Sequence, residues 1–247
     1  MVELGDGTKM AVWIDTKEAD VNAVQVYYSC YENGTWSEEK VVDADGTADF
    51  GVKATVVDGK VYVIWQNVSD AITEETTPEE LAEMVGIKVG VYNALEDTFE
   101  VTQLAGVDKK ICMHPVIAGD DGNIVAAWVE NEDNSWFGEG NKNTIYTSTF
   151  EDGAWTEKHA EENMTNLNAV TGIALDCDGT EINLAYTMDE DGDSSTADDW
   201  ELYVNGEKQT NNTCVDSNPV FAGHKLYWFQ DVAIMEAKIV QPCPEQQ

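Results

Sequence analysis

The segment from Met188 to Glu201 reads MDEDGDSSTADDWE, the densest run of acids in the chain. Asp189, Asp191 and Asp193 alternate along it, and Asp198 and Asp199 follow. Carboxylates grouped around a glycine turn suit a hard cation such as Ca2+, which takes roughly six to eight oxygens from a flexible loop. The spacing is not that of an EF-hand. Gly192 stands fourth rather than sixth, and Trp200 holds the twelfth position, where a bidentate Glu belongs. A second, looser set, DADGTAD, supplies Asp43, Asp45 and Asp49. These eight aspartates are the expected metal ligands and Ca2+ the expected ion. The alternative for both segments is a solvated acidic loop.

Other residue types point to binding. ENEDNSWFGEG places Trp136 and Phe137 side by side in a polar, glycine-flanked loop. Aromatics so placed stack on a sugar ring or anchor a protein partner. His114 precedes Pro115 at the start of a strand, and Trp200 closes the acidic loop. Trp136, Phe137, His114 and Trp200 are therefore the expected ligand-binding residues. No nucleophile-elbow, zincin or phosphate-cradling motif is present. Carboxylate pairs exist, but in a chain with 48 acids their presence alone assigns no catalytic role.

Composition narrows the classes. Against those acids stand 13 basic residues, all lysine, for a formal net charge of −35. Such a surface repels a phosphate backbone, which excludes a nucleic-acid partner. Anionic membrane surfaces are disfavoured for the same reason. No apolar run reaches the roughly 18 residues of a membrane helix, so no insertion is expected. The start shows no basic-then-apolar signal segment, and an extracellular or cell-surface setting is expected for the mature chain. Of five cysteines, Cys30 falls in a strand-like run and reads as a small apolar residue, while Cys112, Cys177 and Cys214 could supply one disulfide. No CxxC spacing suggests zinc.

The elements that must hold these residues repeat. DGTKMAVWID starts at Asp6, DGKVYVIWQN at Asp58, DGNIVAAWVE at Asp121 and DGTEINLAYTMD at Asp178. A weaker copy, GHKLYWFQD, starts at Gly223. Trp13, Trp65 and Trp128 each fall seven residues after the turn's Asp. Apolar runs precede the turns, and Asp-Gly between two such runs signals a hairpin. Downstream lies a second hairpin, written YENGTWSE in one unit and FEDGAWTE in another, with LEDTFEVT as a worn copy. Its turn pairs are Asn33-Gly34, Glu96-Asp97, Asp152-Gly153 and Asn205-Gly206. Four short antiparallel strands per unit, with the same turn chemistry at the same offsets, is the period of a β-propeller blade. The fold class is all-β: a propeller of four-stranded blades, about five in number or part of a larger ring. One domain spans 1–240, followed by a tail at 241–247. The repeated tryptophans are expected to pack between blades.

The strand–Asn/Asp-Gly-x-Trp-Ser/Thr–strand pattern resembles the blades of bacterial sialidase-like, Asp-box propellers and of fucose-lectin-like propellers. The resemblance covers nearly the whole chain, although neither YENGTWSE nor FEDGAWTE completes an Asp-box. A sialidase resemblance implies an arginine cluster for the substrate carboxylate, and this chain has no arginine. The family's tyrosine nucleophile carries over to no position.

Strand alternation sends the tight 1–2 and 3–4 turns to one end of the ring. It sends the long 2–3 and 4–1 loops to the other, and variable loops on a rigid scaffold carry function. Within the 2–3 loop of the second unit, Thr77, Pro78 and Glu80 form a capping box and predict a short helix. The expected function is a non-catalytic extracellular propeller that recognises a glycan or protein through its long-loop face. The alternative is a glycoside hydrolase using a pair of loop carboxylates. The inner-strand starts FGVKA, HPVIA, NAVTG and NPVFA have only Asp49 beside them for that role.

Overall fold

The computed structural model describes residues 1–247 except 6, 18, 135–141, 194, 197 and 239–247. Five antiparallel sheets follow one another along the chain. Blade 1 holds β1 (Val2–Glu3), β2 (Lys9–Thr16), β3 (Val24–Glu32), β4 (Thr35–Trp36) and β5 (Lys40–Val41). Blade 2 holds β6 (Asp49–Val57), β7 (Lys60–Val68), β8 (Val85–Asn93) and β9 (Thr98–Ala105), with helix α1 (Pro78–Met84) in its 2–3 loop. Blade 3 holds β10 (Cys112–Asp120), β11 (Asn123–Asn131), β12 (Asn143–Glu151), β13 (Ala154–Trp155) and β14 (His159–Ala160). Blade 4 holds β15 (Val170–Asp178), β16 (Glu181–Asp189), β17 (Trp200–Val204) and β18 (Glu207–Lys208). Blade 5 has three strands among the described residues: β19 (Asp216–Ala222), β20 (Lys225–Gln230) and β21 (Ala233–Lys238). The inner strands β1, β6, β10, β15 and β19 contact one another in succession, which gives the propeller expected from the repeat.

Turn chemistry sets the strand lengths. Asp58-Gly59 and Asp121-Gly122 take φ of 50° and 74°, and 47° and 80°, the left-handed pair that a two-residue hairpin needs. Asn33-Gly34, Asp152-Gly153 and Asn205-Gly206 do the same at the 3–4 turns. In the worn copy only Asp97 is left-handed, at 52°, and the connection is longer. The repeated phrase earns its conservation of type through two contacts. Register pairs Tyr31 with Trp36, Tyr92 with Phe99 and Phe150 with Trp155, with ring centroids 5.2, 5.2 and 5.3 Å apart. The hydroxyl after each Trp then accepts a strand-3 amide: Cys30 donates to Ser37 at 3.1 Å, and Thr149 to Thr156 at 3.0 Å.

The core lies between blades, not within one sheet. Along β7, Val61, Val63 and Trp65 pack toward blade 1, while Tyr62 and Ile64 pack toward blade 3. Along β11, Ile124, Ala126 and Trp128 face blade 2, while Val125, Ala127 and Val129 face blade 4. Period-2 alternation thus serves two interfaces at once, which is why these strands read as continuous apolar runs. Trp65, Trp128 and Trp228 are buried between blades 1 and 2, 2 and 3, and 4 and 5, whereas Trp13, also expected between blades, lies outside these clusters, half-buried and stacked on Tyr27 of its own blade at 6.2 Å. On blade 5 the opposite face leaves Val220, Phe229 and Ile234 exposed, and on blade 1 Trp36 is half-exposed.

Helix α1 forms with the predicted cap. The Thr77 hydroxyl accepts from the Glu80 amide, and the Glu80 carboxylate accepts from the Thr77 amide. Its Leu81 and Met84 cover Ala48, Val68 and Val85 at the end of blade 2. The cysteine expectation does not hold as a disulfide. Cys30, Cys112, Cys177 and Cys214 are all free, and Cys112 and Cys177 are buried in blade interfaces as small apolar residues. Trp128→Phe is expected to cost about 2–3 kcal/mol in urea unfolding at unchanged m-value, since it opens a small cavity and removes a buried hydrogen bond. Trp36→Phe is expected to stay within about 0.5 kcal/mol in the same measurement.

Candidate functional site

All strands that carry the repeated Trp end at the long-loop face, and the Trp is followed two residues later by a polar side chain. The copies are Asp15, Asn67, Glu130 and Gln230, with Met188 in blade 4. Residues i and i+2 of a strand share a face, so the polar group lies beside the indole. Trp128 Nε1 donates to Glu130 Oε1 at 3.0 Å. In blades 2 and 5 the acceptor comes instead from the start of the inner strand. Trp65 Nε1 donates to Asp49 Oδ1 at 2.8 Å, and Trp228 Nε1 to Asp216 Oδ1 at 3.0 Å. The side chains two residues on, Asn67 and Gln230, add a second donor to the same oxygens at 2.9 and 3.3 Å. Asp49, Glu130 and Asp216 are buried and matched by donors. Sequence reading missed Glu130 and Asp216: the Trp-x-polar pattern, visible in four of the five copies, signals Glu130, whereas Asp216 stands first in its inner strand as Asp49 does.

A second layer of acids is held by lysines, one in each of blades 1 to 4. Lys17 bridges Asp15 and Glu39 at 2.6 and 3.1 Å. Lys88 contacts Asp43 at 2.7 Å and also Asp45. Lys158 bridges Asp108 and Glu130, both at 2.6 Å, and Lys208 bridges Glu190 and Glu201 at 2.8 and 3.5 Å. The first pair is exposed enough to contribute little to stability. Burial works against the charge on Lys88, but the two carboxylates overcome it and hold its pKa up. The expected cation loop at Asp43, Asp45 and Asp49 is thus arranged around an ammonium group, and Asp49 turns away to Trp65.

Around Asn67 two carboxylates come together in unlike settings. Its side-chain amide contacts Asp49 Oδ1 at 2.9 Å and Asp45 Oδ2 at 3.3 Å. Burial raises the pKa of Asp49 to about 6, despite donors from Asn67, Trp65 and the Val26 amide; the charge of Asp45 adds to the rise. Asp45 goes the other way. Burial would raise it, but Lys88 and the Thr47 amide and hydroxyl lower it below 3.8. The Asp45 side chain is 28% exposed, whereas Asp49 is fully buried.

The remaining expected residues scatter. Asp189, Asp191 and Asp199 each bring a carboxylate oxygen within 4.8 Å of the others. Asp193 turns to the Ser195 amide and hydroxyl, and Asp198 is outside the group. Burial raises the pKa of Asp189, the charges of Asp199 and Asp191 add to it, and the nearby Gly192 amide opposes it. Trp200 starts β17 opposite Asp189 and donates from Nε1 to the Thr196 carbonyl at 2.8 Å, closing the loop. His114 adopts φ of 52° at a bulge in β10, with burial lowering its pKa and a hydrogen bond to the Val170 backbone opposing that. Gly51 and Asn218, at the matching bulges of β6 and β19, are also left-handed. Trp136 and Phe137 lie outside the described residues. Among the described residues no helix is long and apolar enough to cross a membrane.

No protein family matches the chain, and no curated protein matches it. Solved structures do. The α-L-arabinanase of Penicillium chrysogenum complexed with arabinobiose superposes with a TM-score of 0.64 at 11% identity, over 95% of this chain and 75% of that one. The GH93 α-L-arabinofuranosidase of Fusarium graminearum with arabinobiose gives 0.53 at 12% identity, over 97% and 80%. At these identities the likeness establishes the β-propeller fold. It also corrects the sequence-based function. A non-catalytic, sialidase-like or lectin-like binding propeller was expected, whereas these two matching structures are an arabinanase and an arabinofuranosidase, which favours the alternative reading. The physical reason for the misreading is specific. Missing arginine removes one way of holding an anionic sugar, but hydrolysis by carboxylates needs no arginine.

Because its folded pKa lies above 3.8, Asp49 stabilises the fold fully below about pH 4, and that contribution is lost as pH rises through about 6. Relative to Asp49→Asn, the native protein should lose about 2–3 kcal/mol of stability between pH 4 and pH 7. Urea unfolding of both proteins across that range measures the difference, and a constant gap would show that Asp49 is ionised throughout.

Proposed function

We propose that the chain is a glycoside hydrolase that takes an uncharged glycan on its long-loop face. The observation that carries this reading is the fold match to an arabinanase complexed with arabinobiose over 95% of the chain. The arabinose-containing substrate named for that enzyme is a reasonable first class to test. A net charge of −35 makes polyuronates poor substrates, since like charges repel on approach.

Asp45 and Asp49 are the carboxylates we assign to the chemistry. Neighbouring acids whose surroundings push their pKa values apart are the arrangement that separates a base from an acid. Asp45 is accessible and held ionised, which suits a base or nucleophile. Asp49 carries a proton up to about pH 6, which suits the acid that protonates the departing sugar oxygen. The assignment requires the loop Asp43–Thr47 to move enough for Asp49 to reach a glycosidic oxygen. Asn67, contacting both, is a positioning residue.

Turnover should therefore need Asp45 ionised and Asp49 protonated, and should fall as pH rises through about 6. Release of reducing sugar from debranched arabinan, arabinobiose and a panel of neutral and acidic polysaccharides tests the class. Asp45→Asn is expected to lower kcat by about 100-fold or more with an unchanged melting temperature. Absence of turnover across the panel would sink the hydrolase reading. Turnover untouched by Asp45→Asn would remove this pair from it.

A further inference from the structure

We infer that Asp189, Asp191 and Asp199 form a calcium site in the 2–3 loop of blade 4, independent of the Asp45–Asp49 pair. Three nearby acids on a loop would not by themselves make a site; the buried member does. Asp189 is 1% exposed, and among the described residues neither of its carboxylate oxygens has a partner with hydrogen-bond geometry, the Gly192 amide acting on it only weakly from nearby. The other buried aspartates differ. Asp49 receives Trp65, Asn67 and the Val26 amide, and Asp216 receives Trp228, Gln230 and Asn212. A buried carboxylate without donors is strongly unfavourable unless it is neutralised or coordinates a cation. The lysine that clamps this blade, Lys208, is engaged with Glu190 and Glu201 instead.

The donors also select the ion. All three are carboxylate oxygens within 4.8 Å of one another, without histidine or cysteine, which suits a hard cation. Two ligands are already set by the loop itself. The Asp191 amide donates to Asp199 Oδ2 at 3.0 Å, and the Asp193 amide to Asp191 Oδ1 at 2.7 Å. Gly192, at φ of 84°, makes the turn between them. An irregular loop with three carboxylates, its coordination completed by carbonyls and water, fits calcium better than the stricter octahedron of magnesium.

Thermal melting in EGTA and in Ca2+ tests the site, with Tb3+ as an optical probe excited through Trp200. Saturating Ca2+ should raise the melting temperature of the native protein by roughly 5–10 °C at about a hundred times the dissociation constant. Asp189→Asn should abolish that rise and, in EGTA, should melt higher than the native protein, because it removes an unpaired buried charge. Asp152→Asn makes the same charge change on the tight-turn face and should keep the full calcium response. Trp200→Phe should lose sensitised Tb3+ emission yet keep the melting shift. The proposal is overturned if the native protein shows no saturable shift, or if Asp189→Asn responds as the native protein does. It is equally overturned if Asp152→Asn loses the response, which would mean that calcium acts by general charge screening. None of these readouts depends on glycan turnover, so this site and the hydrolase reading fail separately.

Discussion

A tryptophan indole donating to a buried carboxylate is the contact on which the blade interfaces depend. An indole in an apolar seam needs an acceptor, and a carboxylate in the same seam needs donors; each meets the other's requirement. The contact recurs in blades 2, 3 and 5 at 2.8, 3.0 and 3.0 Å. It ties each interfacial indole to the long-loop end of its own blade, within β11 in blade 3 and between the first two strands in blades 2 and 5. Blade 4 departs from the rule. Tyr186 replaces the Trp and Met188 the polar residue, and this is the blade where Asp189 and Glu201 retain oxygens without donors among the described residues.

Charge is the second constraint. With 48 acids and 13 lysines, the chain cannot pair most of its carboxylates. Four lysines, one in each of blades 1 to 4, are each spent on two acids, and Lys17 and Lys158 also lie over Tyr27 and Tyr146. The informative carboxylates are those whose surroundings differ from this pattern or differ from one another. Asp45 and Asp49 end with oppositely displaced pKa values around one amide, and Asp189 ends without a hydrogen-bond partner among the described residues. A uniformly acidic composition hides this differentiation, because it is created by burial and by which lysine reaches which loop.

The same point explains why composition misled the functional reading. Counting acids made any one pair uninformative, and the absence of arginine disposed of sialidase-type chemistry. Neither observation bears on a hydrolase built from carboxylates alone. Of the side chains expected to contact a ligand, Trp200 donates within its own loop and His114 stands at a bulge of β10.

The repeat determined the architecture without help from tertiary structure. Asp-Gly and Asn-Gly turns demand positive φ, alternation demands strands, and a fixed offset between turn and Trp demands equivalent blades. The capped helix at Pro78–Met84 was legible for the same reason: capping is a contact between residues three apart. Even the split of loops between the two faces followed from strand alternation. What only the tertiary structure decided is the fate of each carboxylate. Asp49 and Asp45 share Asn67, 18 and 22 residues away in sequence, and Asp45 meets Lys88 from a strand 43 residues on. Such partners are chosen by where blades meet. A pKa, a pairing or an unmet hydrogen bond depends on distances and burial that local sequence periodicity does not encode.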